Sequence, residues 1–270
     1  MQLGMGKKLH YIIILTSLIA AASAVKAQDT TSLDGLSEIS FFSIDSKGNF
    51  CVADKEHSLI KYAQDGSEIT RVNIKAYGEI SSIDCSNPFE IYVFYQDQNI
   101  IVYYDNMLNF RGETRLNDYF FSNVSCIARS FDNNIWILDL SEFKMLKINK
   151  KGDVLLETPY LNNILSNNLN PFKIWESQNA LYVADSVNGV YAFDMLGTYN
   201  TKYYINNINY VAQSQQNFYY QSNDQIYTYN RLTREPVALK YNTFDSYGLA
   251  YYNGRLFTFS TNNLISYPAE

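Results

Sequence analysis

Short apolar segments recur along the chain at nearly regular intervals of about 40 residues. Each segment is five residues long, is rich in aromatic and aliphatic side chains, and is followed or preceded by polar turn residues. The six segments are Phe50–Asp54, Ile91–Tyr95, Ile135–Asp139, Leu181–Asp185, Phe218–Ser222 and Leu256–Ser260. Their length, composition and spacing predict β-strands in a repeating all-β unit.

Further strand-like pieces flank each segment and give every complete repeat four strands. In the first repeat these are residues 40–45, 50–54, 59–63 and 69–74, and the first turn is Lys47-Gly48-Asn49. A repeat of four antiparallel strands is the blade of a β-propeller. The sequence therefore predicts an all-β, six-bladed β-propeller.

The sixth repeat has strand-like pieces only at residues 247–251, 256–260 and 264–267. A ring left open there would expose two unpaired strand edges, which promote aggregation. The segment 28–35 precedes the first inner strand by the spacing of an outermost strand. We therefore predict that the N-terminal strand completes the last blade.

Residues 1–27 have the layout of a secretory signal peptide. Lys7 and Lys8 precede an uncharged run from Tyr11 to Ala24, and small residues permit cleavage after Ala24 or Ala27. The uncharged run covers about 21 Å as a helix, less than the hydrocarbon core of about 30 Å. We expect an exported protein, periplasmic or extracellular, with a single propeller domain over residues 28–270 and no membrane span in the mature chain.

Charge narrows the classes of partner. The formal net charge is −6 at pH 7, and removal of the leader, whose charged residues are all lysines, makes it more negative. An acidic chain is a poor match for nucleic acid or an anionic membrane. We expect a monomer whose partner is a protein or a cell-envelope component.

The three cysteines, Cys51, Cys85 and Cys126, allow at most one intramolecular disulfide. Cys51 and Cys126 lie in the middle of predicted strands, where a thiol packs as a small apolar group. We predict buried free thiols. A disulfide between Cys51 and Cys85, which fall in neighbouring blades, is the alternative.

The first repeat resembles the NHL repeat of six-bladed propellers. The residues that carry the resemblance are Asp45-Ser-Lys-Gly-Asn-Phe-Cys-Val-Ala-Asp54 and Asp65-Gly66, and residues 181–185 with 189–194 form a second copy. The second, fifth and sixth repeats depart from the pattern, with Tyr95, Ser222 and Ser260 in place of Asp.

The resemblance implies the fold and several functions. Propellers of this kind include protein-binding and RNA-binding platforms, and related ones include calcium-dependent lactonases and a zinc-dependent lyase. The lyase type relies on several histidines, whereas His57 is the single histidine after the leader. The predicted export and the acidic charge disfavour RNA.

Asp54, Asp139 and Asp185 end the second strands of the first, third and fourth repeats. Three carboxylates on one rim are weak candidates for a calcium site. Asp in this position also accepts hydrogen bonds from the following backbone amides in an Asx turn, and we favour that structural role. We assign no catalytic residue and expect no cofactor.

Two links between repeats, residues 117–123 and 160–171, are longer than the others. Loops on a rigid scaffold commonly carry binding. The candidate partner-binding residues, expected to be exposed, are Tyr119, Phe120, Phe121, Tyr160, Leu161 and Ile164. The alternative is that these side chains fold down and cap the channel.

The sequence therefore favours an exported, non-catalytic propeller that binds a protein or envelope component through loops on one rim. One alternative is a divalent-cation-dependent hydrolase or lactonase-like enzyme. Another is a glycan-binding module, for which the loop tyrosines Tyr95, Tyr119 and Tyr160 are the candidate stacking platforms.

Overall fold

The computed structural model describes residues 28–164, 169–243, 245–261 and 263–269. The predicted signal peptide lies outside the described residues. Within them the chain forms six four-stranded antiparallel sheets and two short 3-10 helices, at Leu116–Tyr119 and Leu161–Asn163. The sheets are the blades of a six-bladed propeller, as the repeat pattern predicts.

The first strand, β1 (Asp29–Ser32), belongs to the last blade. Blade one contains β2 (Ile39–Ile44), β3 (Phe50–Asp54), β4 (Ser58–Tyr62) and β5 (Glu68–Asn73). Blade two contains β6 (Ser82–Asp84), β7 (Glu90–Tyr95), β8 (Ile100–Asp105) and β9 (Phe110–Arg115). Blade three contains β10 (Val124–Arg129), β11 (Ile135–Asp139), β12 (Lys144–Ile148) and β13 (Val154–Glu157).

Blade four contains β14 (Pro171–Ser177), β15 (Ala180–Asp185), β16 (Gly189–Asp194) and β17 (Tyr199–Tyr203). Blade five contains β18 (Tyr210–Gln213), β19 (Asn217–Ser222), β20 (Gln225–Asn230) and β21 (Pro236–Asn242). Blade six contains β22 (Tyr247–Tyr252), β23 (Arg255–Ser260) and β24 (Asn263–Pro268), followed by β1. The first strands of neighbouring blades contact one another around the axis.

The ring closes through both ends of the described chain. β1 pairs antiparallel with β24, with Asp29 opposite Ser266 and Thr31 opposite Leu264. At the centre, β2 of blade one contacts β22 of blade six. The prediction that the N-terminal strand completes the last blade is confirmed.

The hydrophobic core of the described residues is divided into six clusters, one between each pair of neighbouring blades. Strand β7 shows the cause, because successive side chains of a strand point to opposite faces of the sheet. Ile91 and Val93 pack toward blade one, whereas Tyr92 and Phe94 pack toward blade three. Each blade is therefore apolar on both faces and needs its neighbours for stability.

Cys51, Cys85 and Cys126 are all buried free thiols, as predicted. Burial, with a smaller contribution from a hydrogen bond with Cys51, raises the pKa of the Cys85 thiol well above its usual value. Burial likewise raises the pKa of Cys126 to about 12. These thiols behave as small apolar groups of the interblade clusters.

No helix among the described residues is long and apolar enough to cross a membrane.

Candidate functional site

The loops of the propeller lie on two faces. The loops from second to third strands and the links from outer strands to the next blade share one face, here called the long-loop rim. Backbone hydrogen bonds join them: Leu140 N donates to Asn123 O at 2.9 Å, and Ser186 N donates to Asn170 O at 3.1 Å. The remaining turns, between first and second and between third and fourth strands, form the opposite turn face.

The three aspartates proposed from the sequence lie on the long-loop rim, and each organises the loop that follows it. Asp54 Oδ1 accepts hydrogen bonds from Glu56 N at 3.0 Å and from Ser58 N at 2.8 Å. Asp139 Oδ1 likewise accepts a hydrogen bond from Ser141 N at 2.7 Å. Asp185 Oδ1 accepts hydrogen bonds from Val187 N at 3.0 Å and from Asn188 N at 2.7 Å. All three side chains are buried in Asx turns of separate blades.

These carboxylates do not converge on a common point. Among the described residues there is no group of three or more His, Cys, Asp or Glu side chains that could hold a metal ion. The calcium site considered for Asp54, Asp139 and Asp185 therefore does not fit their arrangement, because calcium requires several oxygens around one ion. His57, on the same rim, places Nδ1 3.0 Å from Gly78 O.

The first long link folds into a 3-10 turn that sends consecutive aromatic residues in opposite directions. Phe120 has a φ of 67°, and its N–H donates to Asn117 O at 3.2 Å. Its side chain is 92 % exposed. Phe121 instead turns back, with its N–H donating to Leu116 O at 3.2 Å, and is only 8 % exposed in the cluster between blades two and three.

Tyr119 lies against the neighbouring blade rather than in open solvent. A Cβ placed on Gly152, in a turn of blade three, would come within 2.3 Å of Tyr119 Cγ. Gly152 therefore allows the tyrosine ring to rest directly on the backbone. Tyr119 packs as a contact between blades two and three while remaining partly exposed.

The second long link also exposes one residue to solvent and buries the next. Tyr160 is 55 % exposed, with the Lys144 ammonium 4.5 Å from its ring centroid. Leu161 is fully buried in the cluster between blades three and four, and Ile164 packs partly buried against that cluster. Residues 165–168 of this link lie outside the described residues.

The expectation that Phe121 and Leu161 are exposed is wrong. Each follows the residue that the link presents to solvent, and each seals the end of an interblade cluster. Burying a leucine or phenylalanine side chain stabilises by about 1.5–3 kcal/mol, so one apolar residue of each link is drawn inward. The exposed candidates that remain are Phe120, Tyr160 and, in part, Tyr119 and Ile164.

Phe143 is an exposed aromatic residue beside these links that the sequence did not single out. Phe143, in the loop between β11 and β12, has a φ of 49° and is partly exposed. Its carbonyl accepts a hydrogen bond from Leu161 N at 2.8 Å. The signal was a phenylalanine placed directly between two charged residues, Glu142 and Lys144.

Three loops therefore form one connected surface on the long-loop rim. Ser122 and Ser141 hydroxyls lie 2.9 Å apart and join the first link to the β11–β12 loop. The Leu161–Phe143 hydrogen bond joins that loop to the second link. We call Phe120, Phe143 and Tyr160, which these loops carry, the rim patch.

Lys144 places an ammonium group, paired with a carboxylate, beside the rim patch. Its ammonium lies 3.3 Å from Glu157 Oε2, and this hydrogen bond raises the pKa of Lys144. The lysine therefore stays protonated beside the Tyr160 ring at neutral pH.

The tyrosines proposed as stacking platforms for glycans differ in exposure. Tyr95 is fully buried in the cluster between blades one and two, and burial raises its pKa to about 12. Its ring therefore has no face open to a ligand. Tyr160 keeps an exposed surface, and Tyr119 keeps part of one.

The architecture is that of known β-propeller proteins. Virginiamycin B lyase from Staphylococcus aureus is similar with a TM-score of 0.65 and 11% identity, over 89% of this chain and 98% of that chain. A candidate exported protein from Bacteroides fragilis has a TM-score of 0.64 and 12% identity, over 88% of this chain and 84% of that one. The WD40 domain of Neurospora crassa Pan2 has a TM-score of 0.57 and 10% identity, over 83% and 72% of the two chains.

At these identities the likeness shows the fold alone. No protein-family model and no curated protein matches the sequence. The protein is therefore a six-bladed β-propeller, and its resemblance to the NHL repeat stays a prediction.

Proposed function

We propose that this protein is an exported, non-catalytic binding module that holds a protein or cell-envelope component on the rim patch. The observation that carries the proposal is the conformation of Phe120, an exposed phenylalanine with a φ of 67°. The left-handed region costs a residue with a Cβ about 1–2 kcal/mol. Strained backbone conformations cluster at active sites, ligand clamps and switch regions, and this supports a binding role for the exposed Phe120 ring.

The surroundings of Phe120 suit a preorganised interface. Hydrogen bonds join the three loops of the rim patch, so little conformational entropy would be lost when a partner binds. Aromatic side chains are enriched in protein interfaces, and Phe120, Phe143 and Tyr160 of the rim patch are all exposed to solvent.

The polar groups of the long-loop rim support a non-catalytic role. Asp54 and Asp185 accept hydrogen bonds from the amides of their own loops. His57 directs Nδ1 at the carbonyl of Gly78. These groups hold the rim in shape, and the lyase and WD40 neighbours show that the fold itself serves both enzymes and other proteins.

The experiment is affinity capture from an envelope extract of the native cell, followed by titration of the captured component. The double variant Phe120→Ser with Tyr160→Ser should bind that component at least tenfold more weakly, because buried aromatic anchors contribute about 2 kcal/mol or more. Phe131→Ser is the matched control, since Phe131 is 78 % exposed on the turn face. Equal affinity of the double variant and the unmodified protein would contradict the proposal.

A second candidate function, glycan binding, is favoured by a pocket of about 430 Å³ on the turn face of blade five. Amide and aromatic groups line it together, including Gln215, Gln216, Asn230 and Tyr203. Amides both donate to and accept from sugar hydroxyls. Titration with envelope glycan fragments should show saturable binding that the double variant Gln215→Ala with Gln216→Ala weakens; unchanged binding by that variant would exclude this pocket.

A further inference from the structure

Blades one and three carry a buried lysine at the same position of the third strand. Lys61 lies opposite Cys51 in the β3–β4 register, and Lys147 lies opposite Trp136 in the β11–β12 register. Each of Cys51 and Trp136 is the second residue of its strand. The two lysines therefore occupy equivalent sites near the turn face, and their surroundings can be compared directly.

Lys147 has a close counterion within its own blade. Its ammonium lies 2.6 Å from Asp132 Oδ2, which is the distance of a strong charge-assisted hydrogen bond. Phe131 lies beside this pair, with its ring centroid 5.0 Å from the ammonium. The charge of Lys147 is thus compensated by the adjacent turn.

Lys61 lacks such a close acceptor among the described residues, although it is only 3 % exposed. Asp45 Oδ2, Pro88 O and Asn106 O each lie 3.5 Å from its ammonium. Charge-assisted N–H···O bonds are normally about 2.7–2.9 Å long. All three contacts of Lys61 are therefore longer than a charge-assisted hydrogen bond, including its buried ion pair with Asp45.

Asp45 is held away from Lys61 by its own turn. Its Oδ1 accepts hydrogen bonds from Lys47 N at 2.8 Å and Asn49 N at 2.9 Å, and its Oδ2 accepts one from Asn49 Nδ2 at 2.9 Å. A buried ammonium whose acceptors are distant is stabilised by any anion that can approach it.

A pocket of about 130 Å³ gives access to Lys61 between the turns of blades one and two. Its apolar walls include Ile69, Phe89 and Met107, all of which are exposed to solvent. Lys47 also lines it, with its ammonium 4.7 Å from the Phe89 ring centroid. A cavity of about 150 Å³ accommodates benzene, so the volume suits one small ring or short aliphatic group.

We propose that this pocket binds a small carboxylate carried on an apolar group. The carboxylate is held by the Lys61 ammonium, and the apolar part packs against Phe89 and Met107. The site lies on the turn face, away from the rim patch, and is independent of the proposed function.

The test is titration of the purified protein with benzoate, followed by NMR or calorimetry, with benzamide as the neutral analogue of the same shape. Benzoate should bind saturably, and benzamide should bind at least tenfold more weakly, because hydrogen bonds to charged groups contribute about 1.5–3 kcal/mol. Lys61→Met should lose benzoate binding by a similar factor, whereas Lys147→Met should keep it. Equal binding of the two ligands, unchanged binding by Lys61→Met, or no saturable binding of benzoate would each overturn the proposal.

A second variant keeps the test decisive if Lys61→Met does not fold. Phe89 is 67 % exposed, so Phe89→Ser leaves the fold intact and removes one apolar wall. Benzoate affinity should fall several-fold in Phe89→Ser and stay unchanged in Phe131→Ser. An unaltered affinity in Phe89→Ser would contradict the placement of the ligand.

Discussion

Arg255 and Asp29 form an ion pair across 226 residues of sequence, with Nη2 of Arg255 2.6 Å from Oδ2 of Asp29. The pair lies where β1 joins blade six. Both side chains are partly exposed, so the pair itself contributes little to stability. The closure depends instead on the β1–β24 hydrogen bonds and on Leu33, which is buried in the cluster between blades six and one.

Deletion of residues 28–36 should lower the Tm by about 10 °C. Loss of a buried leucine alone costs about 2–5 kcal/mol, and 1 kcal/mol shifts the Tm of a domain this size by about 2–4 °C. Calorimetry of Asp29→Ala is the control, in which the Tm should stay within about 2 °C because the ion pair is exposed. A deletion variant with the Tm of the intact protein would show that β1 does not close the ring.

Gly152→Ala should destabilise the protein more than Gly254→Ala. The two glycines have φ of 80° and 77°, so an alanine at either position would carry the same backbone strain, about 1–2 kcal/mol. A Cβ on Gly152 meets the Tyr119 ring at 2.3 Å, whereas a Cβ on Gly254 has nothing within 4 Å. Urea unfolding should show an additional loss of about 1–3 kcal/mol for Gly152→Ala.

If the two alanine variants lose the same free energy of unfolding, the Tyr119 ring can move away from residue 152 at no cost. The link 116–123 would then be held by its hydrogen bonds alone.

Lys173 should give the protein a stability that rises with pH. Its ammonium donates to Val211 O at 2.9 Å, and burial lowers its pKa to about 8 from 10.5, an effect that Asp84 partly opposes. Between pH 8 and 10.5 the unfolded chain binds more protons than the folded protein, so the free energy of unfolding rises with pH in this range. The cost of burying the lysine charge is fully present below pH 8 and is lost by about pH 10.5.

The comparison that isolates this effect is Lys173→Met against the unmodified protein. The variant should be more stable at pH 7 by about 2 kcal/mol, and the difference should shrink toward pH 10. Parallel pH profiles from chemical unfolding would contradict the assignment of this pH dependence to Lys173.

Calcium and chelators should leave the Tm unchanged. The Asp54 and Asp185 carboxylates already accept hydrogen bonds from backbone amides of their loops. Asp185→Ala should instead lower the unfolding free energy by about 1–3 kcal/mol, because those amides lose their acceptor. A calcium-dependent rise in Tm that Asp185→Ala abolishes would restore a metal site on this rim.

The propeller could be predicted from the sequence because its signals are local and repeated. The five-residue strands and the turns such as Lys47-Gly48-Asn49 recur in register, and each copy supports the others. The missing fourth strand of the last blade pointed to β1 for the same reason.

The site could be predicted only in part, because exposure in the links depends on tertiary packing. Phe120 and Phe121 are adjacent and chemically identical, yet the 3-10 turn exposes one and buries the other. The sequence also does not show that Lys147 has a close counterion and Lys61 has a more distant one. This difference depends on how closely a carboxylate oxygen approaches each ammonium in the folded protein.

Site-specific photo-crosslinking is the sharpest test of the proposed partner-binding role of the rim patch. One variant carries a benzophenone amino acid at position 120, and a matched variant carries it at position 131. The two positions are exposed aromatic sites on opposite faces of the propeller. If the rim patch binds a partner, position 120 gives one discrete adduct with a protein or envelope component in native envelope extract, and position 131 gives none. The same adducts from both positions, or none from position 120, would contradict that role.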